Sequence, residues 1–96
     1  MTGEATQVID NQEQHRFELP LGGDQTAVAY YQIDGNRVLL THTEVPKELS
    51  GQGIGSRLAR GVFEAIRASG RKAVPRCPFM HDFVARHPEY SDVVES

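Results

Sequence analysis

The sequence predicts one small α/β domain in which a mostly antiparallel sheet of about four strands packs against two main helices. The 96 residues are enough for one hydrophobic core and leave no room for a second domain. Apolar and polar residues alternate in the first half, as in strands, whereas apolar residues of the second half recur at helical spacing. A glycine-rich turn at residues 51–55 joins the two halves.

Three strands are predicted in the first half. Residues 17–21 form a short strand that Gly22-Gly23-Asp24 closes, and residues 26–33 are rich in the Val, Tyr, Thr and Ile that favour strands. The tripeptide Asp34-Gly35-Asn36 favours a tight turn into a third strand at residues 37–45. Strict alternation in this strand places four side chains on one face: Val38, Leu40, His42 and Glu44.

Two helices and a fourth strand are predicted in the second half. The first helix begins at Ile54 and stops at Gly70, a suitable C′ residue, and residues 72–76 then form the fourth strand. Pro78 can start the second helix, which His87-Pro88 ends, and the acidic residues that follow are expected to be a loose tail. The apolar stripe of the first helix is Ile54, Leu58, Ala59, Val62, Phe63 and Ile66, and that of the second is Phe79, Met80, Phe83 and Val84.

Composition and charge exclude several classes of protein. No apolar run approaches the ~20 residues that span a bilayer, and a net charge of −3 argues against a nucleic-acid-binding protein, which needs a clustered basic face. Residues 1–15 lack the features of a secretory signal and are expected to be a flexible leader before a domain at residues 16–93. Cys77 cannot form an internal disulfide because it is the only cysteine, which favours the cytoplasm.

The turn Ser50-Gly51-Gln52-Gly53-Ile54-Gly55-Ser56 stands between a strand and the start of a helix. Backbone N–H groups at a helix N-terminus lack intrahelical partners and attract anions, and glycines let a phosphate approach them. The turn lacks the Gly-Lys-Ser/Thr of a Walker A loop, and Leu58 stands at the third glycine of a dinucleotide-binding fingerprint. Two interpretations remain: a phosphate site of another kind, or a purely connecting turn.

In its context this turn resembles the coenzyme A-binding motif of the GCN5-related N-acetyltransferases. A strand ending in Val45-Pro46 precedes it, and an amphipathic helix opening Ser-Arg-Leu-Ala follows it. The family pattern Arg/Gln-x-x-Gly-x-Gly/Ala falls on residues 50–55, where Ser50 replaces the usual Arg or Gln. Cys77-Pro78-Phe79 and His87-Pro88-Glu89-Tyr90 are similar to motifs of a minimal subgroup, so the resemblance covers roughly residues 17–93.

The resemblance implies a truncated acetyltransferase-like fold with acetyl-CoA as its cofactor. Backbone amides from Gly51 through Ser56 would bind the pyrophosphate. The implied cofactor-binding residues are Val45, Gly51, Gln52, Gly53, Ile54, Gly55, Ser56 and Arg57. Arg57 and Arg60 lie on the helix that opens at the turn, where they either reach the phosphates or are only solvated.

Acetyl transfer to an amine needs a base for the amine and a route for the leaving thiolate. Glu44 and His42 precede the turn, where the family often places a carboxylate that deprotonates the amine through water. Their alternatives are a rim charge for Glu44 and a hydrogen-bonded core residue for His42. Cys77, expected at the N-cap of the second helix, would accept an acetyl group, line the pocket or fill the core.

Tyr90 and His81 are two further candidates for chemical roles. Tyr90 is either a general acid, as the resemblance implies, or a packing residue of a terminal loop. His81 follows Cys77 by four residues, but two such residues do not complete the four-ligand set of a structural zinc site, and no metal is expected.

The leading hypothesis is therefore an acetyl-CoA-dependent N-acetyltransferase whose acceptor is an amine of a small molecule or a protein. The alternative is a non-catalytic module that binds or senses acyl-CoA. The sequence is compatible with either a monomer or a homodimer.

Overall fold

The computed structural model describes residues 8–47 and 53–95, in which a five-stranded sheet packs against two helices. The elements are β1 (Ile9–Asn11), β2 (Arg16–Pro20), β3 (Thr26–Asp34), β4 (Arg37–Glu44), α1 (Ile54–Ser69), β5 (Lys72–Pro75) and α2 (Pro78–Arg86), followed by a short 3₁₀ helix, Pro88–Tyr90. The strands lie in the sheet in their sequence order. Neighbours are antiparallel except β4 and β5, which run parallel because α1 carries the chain back across the sheet. Within the described ranges no helix has the length and apolar character needed to cross a membrane.

One face of the sheet packs against α1. Phe17 and Leu19 of β2 pair with Ala29 and Ala27 of β3, and all four side chains are buried. The predicted apolar stripe of α1 lies on them, and each of its six residues is buried, whereas the arginines opposite are exposed. Burial of one large aliphatic or aromatic side chain contributes roughly 1.5–3 kcal/mol, so this layer accounts for much of the stability of the fold.

The sheet has five strands where about four are predicted, because residues 9–11, which the sequence places in the leader, form an additional strand. Ile9–Asn11 pair with Arg16–Glu18 at the edge of the sheet, and the Tyr31 hydroxyl donates to Asp10 Oδ1 at 2.5 Å. Burial is the main cause of the raised pKa of Tyr31, and this hydrogen bond is the second. The short strand carries polar residues that made it look like a solvated leader.

The described C-terminal segment is hydrogen-bonded to β5 and α1. The prediction of a loose tail is therefore wrong within the described residues. Val94 forms a parallel bridge with Ala73 of β5, and the Ala73 backbone hydrogen-bonds both Val93 and Glu95. Arg67 of α1 donates to Asp92 Oδ1 at 2.8 Å, which is the main reason that the pKa of Asp92 is lowered. Charges that suggested a solvated tail therefore connect it to α1.

A β-bulge at Thr41 reverses the sheet face towards which the following side chains of β4 point. Tyr31 pairs with Leu40 and Tyr30 pairs with His42, so Thr41 is an extra residue on the β4 side. The prediction that Val38, Leu40, His42 and Glu44 share one face is therefore wrong. Val38 and Leu40 are buried in the hydrophobic core, whereas His42 and Glu44 lie on the opposite, exposed face.

The predicted apolar face of α2 is confirmed only in part. Met80 and Phe83 are fully buried, and Val84 is half-buried. Phe79, however, is 37% exposed, because its position in the first turn turns the ring away from the core and towards α1.

Gly61→Ala is expected to destabilise the protein, although alanine normally favours a helix interior over glycine by about 0.5–1 kcal/mol. A Cβ at Gly61 would lie 2.8 Å from Val8 Cβ and closer still to one of its methyl groups. Overpacking of this kind costs about 1–3 kcal/mol. Urea unfolding should show the loss in Gly61→Ala and its recovery in a Val8→Gly, Gly61→Ala double variant, which lacks both the methyl groups and the Cβ of Val8. A more stable single variant would show that Val8 does not pack against α1.

Candidate functional site

The start of α1 presents backbone donors. Its N-cap is Gly53, whose φ of 77° favours glycine, and its first intrahelical bond runs from Arg57 N to Gly53 O at 3.0 Å. The N–H groups of Ile54, Gly55 and Ser56 precede that bond, and within the described residues no side chain caps them and the first turn holds no acidic residue. This arrangement suits an anion.

The other predicted cofactor-binding residues are only partly described. Gly51 and Gln52 lie outside the described residues, as does Ser50. Val45 is half-buried where β4 leads towards the turn, and Arg57 is exposed on α1. The structure therefore brings Gly53, Ile54, Gly55 and Ser56 together at the helix start.

Strands β4 and β5 diverge beside the start of α1. Their parallel pairing ends at Leu40 and Pro75, and the Leu40 carbonyl then accepts from both Arg76 N, at 2.9 Å, and Cys77 N, at 3.0 Å. Beyond Leu40, the described part of β4 pairs with β3 alone. A gap thus opens between the end of β4 and the start of α2, and its β4 side leads towards the N-terminus of α1.

Cys77 lies on the α2 side of this gap. As predicted, it is the N-cap of α2: its Sγ accepts from Met80 N at 3.4 Å. Its side chain is 4% exposed, and Sγ lies 3.2 Å from Thr43 Oγ1, so these two side chains are in contact and close the gap at this point. Sequence reasoning missed Thr43, because the bulge turns it to the buried face of β4 and strict alternation did not predict the bulge.

His42 and Glu44 lie together on the opposite face of the sheet from Cys77. His42 Nε2 is 3.1 Å from Glu44 Oε2, and both side chains are about 60% exposed. The alternative that His42 is a hydrogen-bonded core residue is therefore wrong. The Tyr30 ring stacks on the His42 ring with centroids 6.1 Å apart, which extends the polar surface onto β3.

This polar surface continues onto β2. Arg16 lies 5.9 Å from the centre of the Tyr30 ring and donates to Glu18 Oε2 at 2.6 Å. That hydrogen bond is the main cause of the lowered pKa of Glu18, and a hydrogen bond from Asn11 is the second. A row of aromatic and charged side chains therefore crosses the exposed face from β2 to β4.

Tyr90 is placed away from the gap. Its ring is buried against Phe63 and Phe83, with centroids 5.6 and 5.9 Å distant, and its hydroxyl donates to Glu64 at 3.3 Å. Glu64 lies ten residues after Ile54, about 15 Å along the helix axis. Burial, followed by Glu64, raises the pKa of Tyr90. The packing interpretation of Tyr90 thus fits its surroundings.

Comparison with known proteins identifies a family and a structural relative. Residues 16–93 match the family model described as GCN5-related N-acetyl-transferase. The NMR solution structure of a GCN5-like protein from Staphylococcus aureus superposes with a TM-score of 0.72 at 25% sequence identity. The match covers 98% of this chain and 92% of that chain.

Cys77→Ala is expected to lower the free energy of unfolding by about 0.5–2 kcal/mol, because alanine cannot accept the Met80 N–H bond at the helix N-cap. Cys77→Ser should retain most of the stability, since a hydroxyl at this position can bond both Met80 N and Thr43. Urea unfolding of the two variants checks this. Equal losses in both would show that the sulfur contributes packing and not capping.

Proposed function

The chain belongs to the GCN5-related N-acetyltransferase family, and from that premise we propose that it transfers the acetyl group of acetyl-CoA to an amine. The family supports acetyl transfer in general. The donor and the acceptor are inferred from the chain's own site. The observation that carries the proposal is the row of N–H groups at the start of α1, which no side chain of the described residues caps, next to the gap between β4 and β5.

Acetyl-CoA would lie along this arrangement from the start of α1 into the gap. The pyrophosphate would accept hydrogen bonds from the N–H groups of Ile54, Gly55 and Ser56, where the helix dipole also favours negative charge. The pantetheine arm would extend from there into the gap, where the outer edge of β4 beyond Leu40 offers backbone groups. The thioester would then lie near Thr43 and Cys77.

The amine would approach from the face that carries His42 and Glu44. Glu44, directly or through a water molecule, would take the proton of the amine as its nitrogen attacks the thioester carbonyl. The carbon–sulfur bond then breaks, and coenzyme A leaves as a thiolate that takes up a proton. In this direct transfer the thiol of Cys77 lines the cleft and is not acetylated.

The acceptor surface favours a cationic or aromatic amine. Tyr30 and His42 offer flat rings, while Glu44 offers a carboxylate. An open cleft of about 550 Å³ adjoins these rings at the bulge and is lined by His15, Tyr30, Tyr31, Gln32, Ile33 and Thr41. A polyamine or a lysine side chain fits such a surface.

The wild-type protein is expected to bind acetyl-CoA saturably, and calorimetric titration measures this directly. Free coenzyme A should bind with similar affinity, because the main contacts are to the pyrophosphate. S-acetylpantetheine, which lacks the nucleotide and the pyrophosphate, should bind at least about tenfold more weakly, a loss of about 1.4 kcal/mol. If acetyl-CoA does not bind, the proposal is wrong.

Glu44→Gln is expected to lower kcat for amine acetylation by about 10²-fold or more, the usual contribution of a general base, with the Kd for acetyl-CoA unchanged. Release of the coenzyme A thiol with spermidine or a lysine peptide as acceptor measures kcat. Glu89→Gln is the matched control, because Glu89 is as exposed as Glu44 and also pairs with a histidine, His87, at 3.3 Å after the end of α2.

The outcomes separate the mechanisms. Binding of acetyl-CoA without turnover on any amine would favour a module that senses acyl-CoA. An acetyl adduct found by intact mass in the wild type and absent from Cys77→Ser would replace direct transfer by an acetyl-enzyme. Equal activity of Glu44→Gln and Glu89→Gln would remove Glu44 as the base.

A further inference from the structure

The ring of Phe79 lies against the first turn of α1. A Cβ built on Gly55 would lie 2.7 Å from Phe79 Cζ and 3.1 Å from Cε1, distances at which the ring must move. Phe79 is two residues after Cys77 and is 37% exposed, so one part of the ring rests on α1 while another part faces solvent. The ring thus bridges the N-termini of α1 and α2, which border the gap.

Gly55 does not need to be glycine for the sake of its backbone. Gly53 has a φ of 77° with open space around its missing side chain, whereas Gly55 lies within α1 and does not have a positive φ. The three heavy atoms nearest to a Cβ at Gly55 all belong to the Phe79 ring. The absence of a side chain at Gly55 is therefore explained by the ring.

We propose that Phe79 forms one wall of the cofactor cleft, contacting the pantetheine arm, and that Gly55 lacks a side chain in order to seat this ring. The proposal rests on the proposed function, since it takes acetyl-CoA as the ligand of the cleft. It differs from the view that Gly55 is glycine only to let a phosphate approach. Gly53 and Gly55 then have separate roles: Gly53 forms the turn, and Gly55 leaves space for the Phe79 ring.

The physical reason lies in the exposed part of the ring. An aromatic side chain that is more than one third exposed gains free energy when an apolar group covers it, at about 25 cal/mol per Å². The methyl and methylene groups of pantetheine supply such a surface, whereas the nucleotide half of coenzyme A would reach the N–H groups of α1. Phe79 should therefore influence binding of the arm and not of the nucleotide.

A double-mutant cycle between Gly55→Ala and Phe79→Ala tests this, with two probes measured by calorimetry. The first probe is acetyl-CoA. The second is 3′-phospho-ADP, which is coenzyme A without its pantetheine arm. Thermal unfolding of the four proteins gives a readout that needs no ligand.

Phe79→Ala is expected to weaken acetyl-CoA binding about fivefold to tenfold while leaving 3′-phospho-ADP binding unchanged. Gly55→Ala should weaken acetyl-CoA binding to a similar extent by displacing the ring, and the double variant should be no weaker than Phe79→Ala alone. In thermal unfolding, Gly55→Ala should raise Tm in the Phe79→Ala background, because alanine is the better helix residue, and raise it less or lower it in the wild type.

Three results would overturn the proposal. Unchanged acetyl-CoA affinity in Phe79→Ala would show that the ring is not a wall of the cleft. Loss of 3′-phospho-ADP binding in Gly55→Ala, with or without Phe79, would show that the glycine serves the phosphate. Failure of the wild type to bind either probe would reject both the cofactor site and the wall, whereas the Tm cycle would still show whether Gly55 seats the ring.

Discussion

The parting of β4 from β5 at the Leu40 carbonyl is the constraint on which the site depends. One oxygen accepts from two successive N–H groups, Arg76 and Cys77, so the chain turns away from β4 and begins α2 there. The bulge at Thr41 directly follows Leu40 in β4. It turns Thr43 towards Cys77 and His42 towards solvent. Without these two departures from regular pairing, the sheet would close where the cofactor is proposed to lie.

The sequence predicted the elements whose signal is local. The stripe of α1, its end at Gly70 and the Cys77 cap of α2 are as expected, because periodicity and capping depend on neighbouring residues. The membership of the acetyltransferase family and the main features of its fold were likewise recognised from residues 50–56 and 77–90.

The features that were missed depend on contacts between distant residues. Alternation along β4 carries no signal for the Thr41 bulge, because Thr41, His42 and Thr43 are all polar. β1 is only three residues long, and its polar Asp10 is held by Tyr31 from another strand. Phe79 has the helical spacing of a core residue, and the sequence does not show that Gly55, far away along the chain, leaves room for its ring beside α1.

The bridge at Val94 has a consequence for how the protein behaves in a crowded solution. β5 is the last paired strand of the sheet, and an uncovered edge strand is a template on which other chains can add strands and aggregate. The N–H and C=O of Ala73 are both occupied by the chain's own residues 93 and 95, and Lys72 Nζ donates to Asp92 O at 2.5 Å. The acidic end of the described chain thus covers the outer edge of β5 at Ala73, the place where the backbone of another chain could otherwise pair.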